Sequence, residues 1–205
     1  EMGVASVFKA THGRSKGPND GLSRMIGRAL RVLGLPRDEG NERIRRVYFE
    51  SGPVAPAELF DCRVLAEMTI PAQEGEQDEV LYLNPTERFT VVKRYLERMS
   101  LERPLMIWID DAQWGVDALE FASFILAEAT DLPVLLLLTV RSEAVVEGSL
   151  SERLLDRLQA HERGRLVEVR PLGESDHVEL VQKLLSLEPE LAREVAQRTD
   201  GNPLF

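Results

Sequence analysis

The chain has 205 residues, 43% of them hydrophobic and 29% charged, so it can bury a sizeable core, and neither a disordered nor a collagen-like polypeptide fits this composition. Acidic residues outnumber basic ones by 35 to 25, and the net charge of −10, with no basic stripe to offset it, argues against direct contact with nucleic acid. The longest apolar run, residues 132–140, is about half the length of a membrane-spanning helix, so no membrane segment is expected.

Cysteine usage and the two chain ends indicate the cellular setting. The single cysteine, Cys62, cannot form an internal disulfide, and no Cys/His cluster has metal-ligand spacing. A reducing compartment fits these features best, so we expect a cytoplasmic protein. The sequence opens with EMGVASVFKA, which has neither an initiator methionine nor the features of a signal peptide, and stops at GNPLF. We therefore expect it to be a segment of a longer protein.

Strands and helices are predicted to alternate along the chain. Strands are predicted at residues 3–11, 104–110, 132–140 and 164–172. Helices are predicted at residues 21–34, 59–68, 84–100, 116–130, 150–161, 175–187 and 189–199, and the pattern is weakest between 36 and 84. The second and third strands are continuously apolar, which predicts burial on both faces, as in a parallel sheet covered by helices. The alternation predicts an α/β fold with a mainly parallel sheet.

Several helix ends carry local signals. Asn84 is predicted to cap the helix that follows it, and Gly34 is predicted to stop the first helix. Asp117 can cap the helix after the second strand. Asp176 and Glu179 have the spacing of a capping box at the start of the helix over residues 175–187.

The segment RPLMIWIDDAQW places two adjacent aspartates, Asp110 and Asp111, at the carboxyl end of a buried strand. In an open parallel sheet, ligands gather at this end of the strands, because loops converge there and helix amino termini point towards it. Neighbouring carboxylates raise each other's pKa and cost stability unless a cation or a hydrogen-bond network is close. With Mg²⁺ and ATP, Asp110 would orient the hydrated metal and Asp111 would polarise a water for attack on the terminal phosphate. The structural alternative is two solvated side chains at a polar turn.

The residues MIWIDDAQW resemble the Walker B segment of the signal-transduction ATPases with numerous domains, a branch of the P-loop ATPases related to the AAA class. Arg141, in LLLLTVRSE, resembles the family's sensor arginine, which contacts the terminal phosphate, and its planar fork suits a phosphate group. The final DGNPLF resembles the G-x-P element, in which Pro203 packs against the adenine ring and Gly201 permits the turn. The similarity is good over residues 103–205 and weaker before them.

The resemblance also marks Gln113 and Trp114, which directly follow the acids, as candidates for shaping the nucleotide site, with packing at the helix start as the alternative. It implies a three-layer αβα domain with a mainly parallel sheet, of the P-loop NTPase, ASCE type, over residues 1–172. The start of a helical lid is implied over residues 173–205. ATP and Mg²⁺ are the implied cofactors, with Asp110 holding the metal through water.

A nucleotide site of this type needs a G-x-x-x-x-G-K-[ST] loop, and the sequence contains none. The nearest imitation, HGRSKG at residues 12–17, is expected to be an ordinary loop. By the family's order, the first strand, its phosphate loop and the following helix are expected upstream of residue 1. In the family that strand lies between the strand that ends at Arg141 and RLVEVRPL. We therefore predict that the isolated 205 residues bind ATP poorly and aggregate through unpaired strand edges.

Three functions compete. The favoured one is an ATP-binding, ATP-hydrolysing regulatory module of a multidomain signalling or transcription regulator, with ATP/ADP, the flanking domains of the same polypeptide and self-association as its partners. The second is a nucleotide-independent scaffold that keeps the fold, and an intact upstream phosphate loop or its loss would decide between these two. The third is an unrelated metal-dependent phosphoryl-transfer enzyme of flavodoxin-like or haloacid dehalogenase type, which leaves Arg141 and Pro203 unexplained.

Overall fold

The computed structural model describes residues 4–15, 21–49, 56–72, 84–129 and 131–199. The chain divides into two compact units, Glu1–Gly164 and Arg165–Phe205. The first unit holds a parallel sheet with its helices, and the second holds a pair of helices. None of the helices in the described ranges is long and apolar enough to cross a membrane.

Three parallel strands form the sheet of the first unit: β1 (Ser6–Thr11), β2 (Leu105–Asp110) and β3 (Val134–Leu138). The central strand is β2, and the register pairs Phe8 with Ile107 and Ile107 with Leu136. The strands therefore end together at one edge of the sheet, where Thr11 pairs with Asp110. The predicted α/β class and parallel sheet are confirmed.

Helices fill the connections between these strands and continue after them. The helices of the first unit are α1 (Leu22–Leu30), α2 (Arg37–Phe49), α3 (Pro56–Thr69), α4 (Pro85–Ser100), α5 (Val116–Glu128) and α6 (Leu150–Ala160). The capping box of α4 shows why that helix starts where it does. The Asn84 side chain accepts a hydrogen bond from the Glu87 backbone N–H, and the Glu87 carboxylate accepts one from the Asn84 N–H, both at 2.9 Å. The predicted Asn84 cap is confirmed.

One face of the sheet is buried and the other is partly open. Phe8 and Ile107 point to the buried face, where they share a core with apolar side chains of α1, α3, α4 and α5. On the opposite face, Val7, Leu135 and Leu137 are 61%, 56% and 42% exposed. The prediction that β3 is buried on both faces is therefore wrong for the described residues. An apolar run identifies a strand, but it does not show how many layers cover that strand.

Two predictions for the first helical region are wrong in detail. The helix α1 ends at Leu30 rather than at Gly34, because Arg31 adopts a left-handed conformation with φ 56° and closes the helix. The helix α2 was not predicted, since its sequence, RDEGNERIRRVYF, is mostly charged. It is anchored by a few apolar side chains such as Ile44, which is fully buried.

Two predicted helix caps are also wrong. The N-cap of α5 is Gly115, and Asp117 lies one position inside the first turn. In the second unit, α7 (Glu174–Leu185) starts after Gly173, so Asp176 lies in its first turn and forms no capping box with Glu179. In both helices a glycine takes the N-cap, while the acid still interacts favourably with the positive end of the helix dipole.

The second unit contains α7 and α8 (Pro189–Thr199), whose start at a proline agrees with the sequence. The two helices pack around Val181, Ala192 and Ala196. The strand predicted at residues 164–172 is absent from the described chain, where Val169 is 90% exposed. An alternating pattern becomes a strand only when a neighbouring backbone accepts its hydrogen bonds, and no described ladder includes these residues.

Candidate functional site

The carboxyl ends of β2 and β3 are joined by backbone hydrogen bonds that continue past both strands. The Thr139 N–H donates to the Ile109 carbonyl at 3.0 Å, and the Ala112 N–H donates to the Thr139 carbonyl at 2.9 Å. The two loops therefore leave the sheet side by side. This brings the aspartates after β2 next to the polar residues after β3, which are far away in sequence.

Asp110 is the last residue of β2, and each of its carboxylate oxygens has a partner. The Thr139 hydroxyl donates to Oδ1 at 2.7 Å, and the Lys9 ammonium lies 2.9 Å from Oδ2. The hydrogen bond from Thr139, followed by the interaction with Lys9, holds the pKa of Asp110 below its ordinary value. Asp110 is therefore a carboxylate at neutral pH, with a hydroxyl group at one oxygen and an ammonium group at the other.

Asp111 has a left-handed backbone with φ 55°, which is unusual for a residue other than glycine. Arg141 holds its carboxylate with two hydrogen bonds, from Nε to Oδ1 at 2.9 Å and from Nη2 to Oδ2 at 3.3 Å. Such a fork-to-fork pair fixes direction as well as distance. Strained backbone of this kind persists only where the surroundings enforce it, and it concentrates at functional sites.

Gln113 and Trp114 complete the environment of Arg141. The Gln113 amide donates to Asp111 Oδ1 at 3.1 Å, and its carbonyl oxygen accepts the Arg141 backbone N–H at 3.2 Å. The Arg141 guanidinium lies 4.5 Å from the centre of the Trp114 ring, within the range of a cation–π contact. Side chains of Asp111, Gln113 and Trp114 therefore set the position of this arginine.

The two adjacent carboxylates are each matched by a separate cation of the same chain. Lys9 lies beside Asp110 and Arg141 lies beside Asp111, so their mutual repulsion is offset locally. The structure thus brings together five of the residues singled out from the sequence: Asp110, Asp111, Gln113, Trp114 and Arg141. The remaining two, Gly201 and Pro203, lie outside the described residues.

Lys9 and Thr139 were not identified from the sequence. Lys9 is distant from Asp110 along the chain, and only the β1–β2 register brings it there. The position of Thr139 could have been recognised from the sequence, since it is the first polar residue after the apolar run of β3 and lies two positions before Arg141. A hydroxyl at a strand end, in line with a carboxylate at the end of the next strand, is placed to donate a hydrogen bond to it.

The site offers oxygen atoms but few ligating side chains. No group of three or more His, Cys, Asp or Glu side chains in the described part of the chain could hold a metal ion. A cation at Asp110 would therefore take most of its ligands from water or from a bound substrate. No protein-family model, curated protein or solved structure matches the chain.

Proposed function

We propose that the chain is an ATP-binding, ATP-hydrolysing regulatory module of a multidomain signalling or transcription regulator. The observation that carries this proposal is the arrangement at the sheet edge, where two adjacent aspartates after β2 lie beside an arginine fork after β3. The resemblance of MIWIDDAQW to a Walker B segment, and of Arg141 to a sensor arginine, supports the same assignment.

Asp110 would hold Mg²⁺ through water. Its carboxylate lies 2.7 Å from the Thr139 hydroxyl, so two oxygen atoms of the kind that magnesium prefers are adjacent. The Lys9 ammonium, 2.9 Å from the other carboxylate oxygen, already occupies a position next to Asp110 that suits positive charge. These oxygen atoms support the proposal of a hydrated magnesium ion, which would have to displace the Lys9 ammonium from Asp110. When bound, Mg²⁺ would neutralise negative charge on the phosphate oxygens.

Asp111 would act as the base that orients the attacking water. In the structure both of its oxygens accept hydrogen bonds from Arg141, and a guanidinium fork binds phosphate as well as carboxylate. A terminal phosphate that draws Arg141 away would free Asp111 to accept a proton. The water oxygen would then bond to the terminal phosphorus as the bond to the ADP oxygen breaks, and Asp111 would accept the proton of the water.

The open side of the sheet supports completion of the fold by further elements. The outer edge of β3 has no partner in the described sheet, and Leu135 and Leu137 are half exposed on one face. We propose that a strand and helix bearing the phosphate loop pair with β3 and cover this face in the complete protein. The finer fold assignment is then a three-layer αβα domain of the P-loop NTPase, ASCE type, with the second unit as the start of a helical lid.

The test is Mg²⁺-dependent ATP binding and phosphate release by the complete protein. We expect the wild type to bind ATP more tightly with Mg²⁺ than without it, and D110N to lose this difference while remaining folded. The control is D131N, because Asp131 is exposed in the loop before β3, at the opposite end of the strand from the site. Absence of ATP binding, or an unchanged Mg²⁺ dependence in D110N, would contradict the proposal.

A second candidate is a nucleotide-independent scaffold. It is favoured by one observation, namely that Lys9 and Arg141 of the same chain form ion pairs with the two aspartates. For a scaffold, D110N and D111N would change the free energy of unfolding, but the complete protein would bind no ATP. Calorimetric titration with ATP and chemical denaturation of the same variants distinguish the two candidates.

A further inference from the structure

A cavity of about 310 Å³ lies beside β1 and α1, outside the group formed by Asp111, Gln113, Trp114 and Arg141. It is lined by three cationic side chains together with a histidine, a hydroxyl and two glycines. The cations are Lys9, Arg24 and Arg28. The volume suits a small ligand rather than a protein segment.

The spacing of the lining residues along β1 and α1 explains why their side chains reach the same cavity. Lys9 and Thr11 lie two positions apart on β1 and so occupy the same face of the strand. Arg24 and Arg28 lie four positions apart on α1 and therefore share one side of the helix. The buried residues of α1, Met25 among them, turn its other side to the core. Strand and helix thus present their cations to the same space.

The wall made by His12 is fixed by two glycines. A Cβ atom at Gly21 would lie 2.6 Å from His12 Cε1, and one at Gly115 would lie 2.5 Å from the same atom. Gly21 also has φ 78°, a conformation that other residues rarely adopt. The imidazole therefore packs where only glycine leaves room on either side, so the two glycines fix this wall of the cavity.

The cavity lining is positively charged, although the chain as a whole is acidic. The net charge of the sequence is −10, yet none of the described residues that line the cavity is acidic. Lys9 pairs with Asp110, whereas the Arg28 side chain forms no hydrogen bond or ion pair with the other described residues. A bound anion would therefore meet cationic side chains and no carboxylate among the described lining residues.

We propose that this cavity is a second binding site, for a phosphate group of a small molecule, next to the proposed ATP site and sharing Lys9 with it. Guanidinium forks, an ammonium and a hydroxyl are the donors that match phosphate oxygens. The assignment rests on the cavity and does not require the proposed ATPase function. Because Lys9 also contacts Asp110, a phosphate in the cavity competes with that carboxylate for the ammonium.

Calorimetric titration of the complete protein with inorganic phosphate tests the proposal. The titration is run without Mg²⁺ and with saturating ATP, so that a phosphate loop elsewhere in the protein is already filled. We expect saturable binding that weakens about tenfold or more in R24Q/R28Q, since charge-assisted hydrogen bonds are lost. The matched control is R46Q, because Arg46, like Arg28, is an exposed arginine in the last turn of a helix but does not line the cavity.

Three results would overturn the proposal: no saturable phosphate binding, equal affinity in R24Q/R28Q and R46Q, or loss of phosphate binding whenever ATP is present. If R24Q/R28Q fails to fold by circular dichroism, R28Q alone replaces it, with the same direction expected. D110N should bind phosphate several-fold more tightly, because it removes the carboxylate that competes for Lys9. If the protein binds no ATP, the phosphate titration still tests the cavity, so the ATPase proposal and the phosphate-site proposal can be contradicted separately.

Discussion

Asp111 has a left-handed backbone and an ion pair with Arg141. The role of its charge can be tested separately from the role of its backbone conformation. Its φ of 55° is tolerated by asparagine at least as well as by aspartate, so D111N keeps the conformation and removes the charge. We expect ATP turnover by the complete protein to fall by a factor of about 100 or more, since a positioned base contributes at this level. ATP should bind at least as tightly, because D111N also removes the carboxylate that competes with phosphate for Arg141. Turnover and binding are measured in parallel, with D131N as the control. Unchanged turnover in D111N would remove the proposed role of Asp111 as a base.

Thr139 offers a second test at the level of single residues, through pH. Its hydrogen bond is the main reason why the pKa of Asp110 is lowered in the folded state. A lowered pKa stabilises the fold above the pKa of the unfolded chain, and this contribution is lost as the pH falls through the folded pKa. T139V should therefore reduce the free energy of unfolding near neutral pH and weaken its fall in acid. Urea denaturation across the acid range measures both effects.

The matched control for that experiment is T90V. The Thr90 hydroxyl donates to the Thr86 carbonyl within α4, which is not an ionisable group, so its removal should leave the pH dependence unchanged. If T139V and wild type lose stability along the same pH curve, then Thr139 does not control the pKa of Asp110.

At the scale of helices and strands, the apolar patterns of the sequence predicted more of the structure than its polar residues did. The strands β2 and β3 were predictable because short apolar runs between turn signals are typical of a parallel sheet. The rule that parallel strands end at one edge explains why Asp111 and Arg141, each following a strand, lie close together. Lys9 could not be placed, because its contact with Asp110 depends on the register between β1 and β2. The charged helix α2 was missed, since tertiary packing rather than periodicity stabilises it.

The interface between α3 and α4 depends on a buried acid. The Asp61 side chain is 4% exposed and is held by Arg94 through two hydrogen bonds, from Nε and from Nη2. R94L should reduce the free energy of unfolding by about 3 kcal/mol, because it leaves a buried carboxylate without its partner. The control K93L, on the same helix, removes an i,i+4 pair with Glu97 and should cost about 0.5 kcal/mol or less.

Chemical denaturation of both variants provides the comparison, and a rescue identifies the cause. Adding D61N to R94L should recover part of the loss, since the uncompensated charge is then gone. Equal effects of R94L and K93L, or no rescue by D61N, would mean that the Asp61–Arg94 pair does not stabilise this interface.

At the scale of the whole molecule, charged substitutions on the open face of the sheet should have opposite effects in the isolated chain and in the complete protein. Leu135 and Leu137 are half exposed on β3, the edge strand of the described sheet. In the isolated 205-residue chain, L135E/L137E should reduce self-association, because charges on an exposed apolar edge prevent strand pairing. In the complete protein, the same substitutions should lower the melting temperature and weaken ATP binding, since the covering strand and helix would meet buried carboxylates.

Light scattering after size-exclusion chromatography measures the first effect, and thermal unfolding with ATP titration measures the second. The control is L101E, because Leu101 is 85% exposed at the end of α4 and lies outside the sheet, so it should change neither quantity. If a further strand and helix cover β3, the effects of L135E/L137E on stability must differ between the isolated chain and the complete protein. A face that stays open in the complete protein would tolerate the two charges there as well. Equal tolerance of L135E/L137E in both contexts would show that no further element covers this side of the sheet, and the phosphate loop would then have no place beside β3.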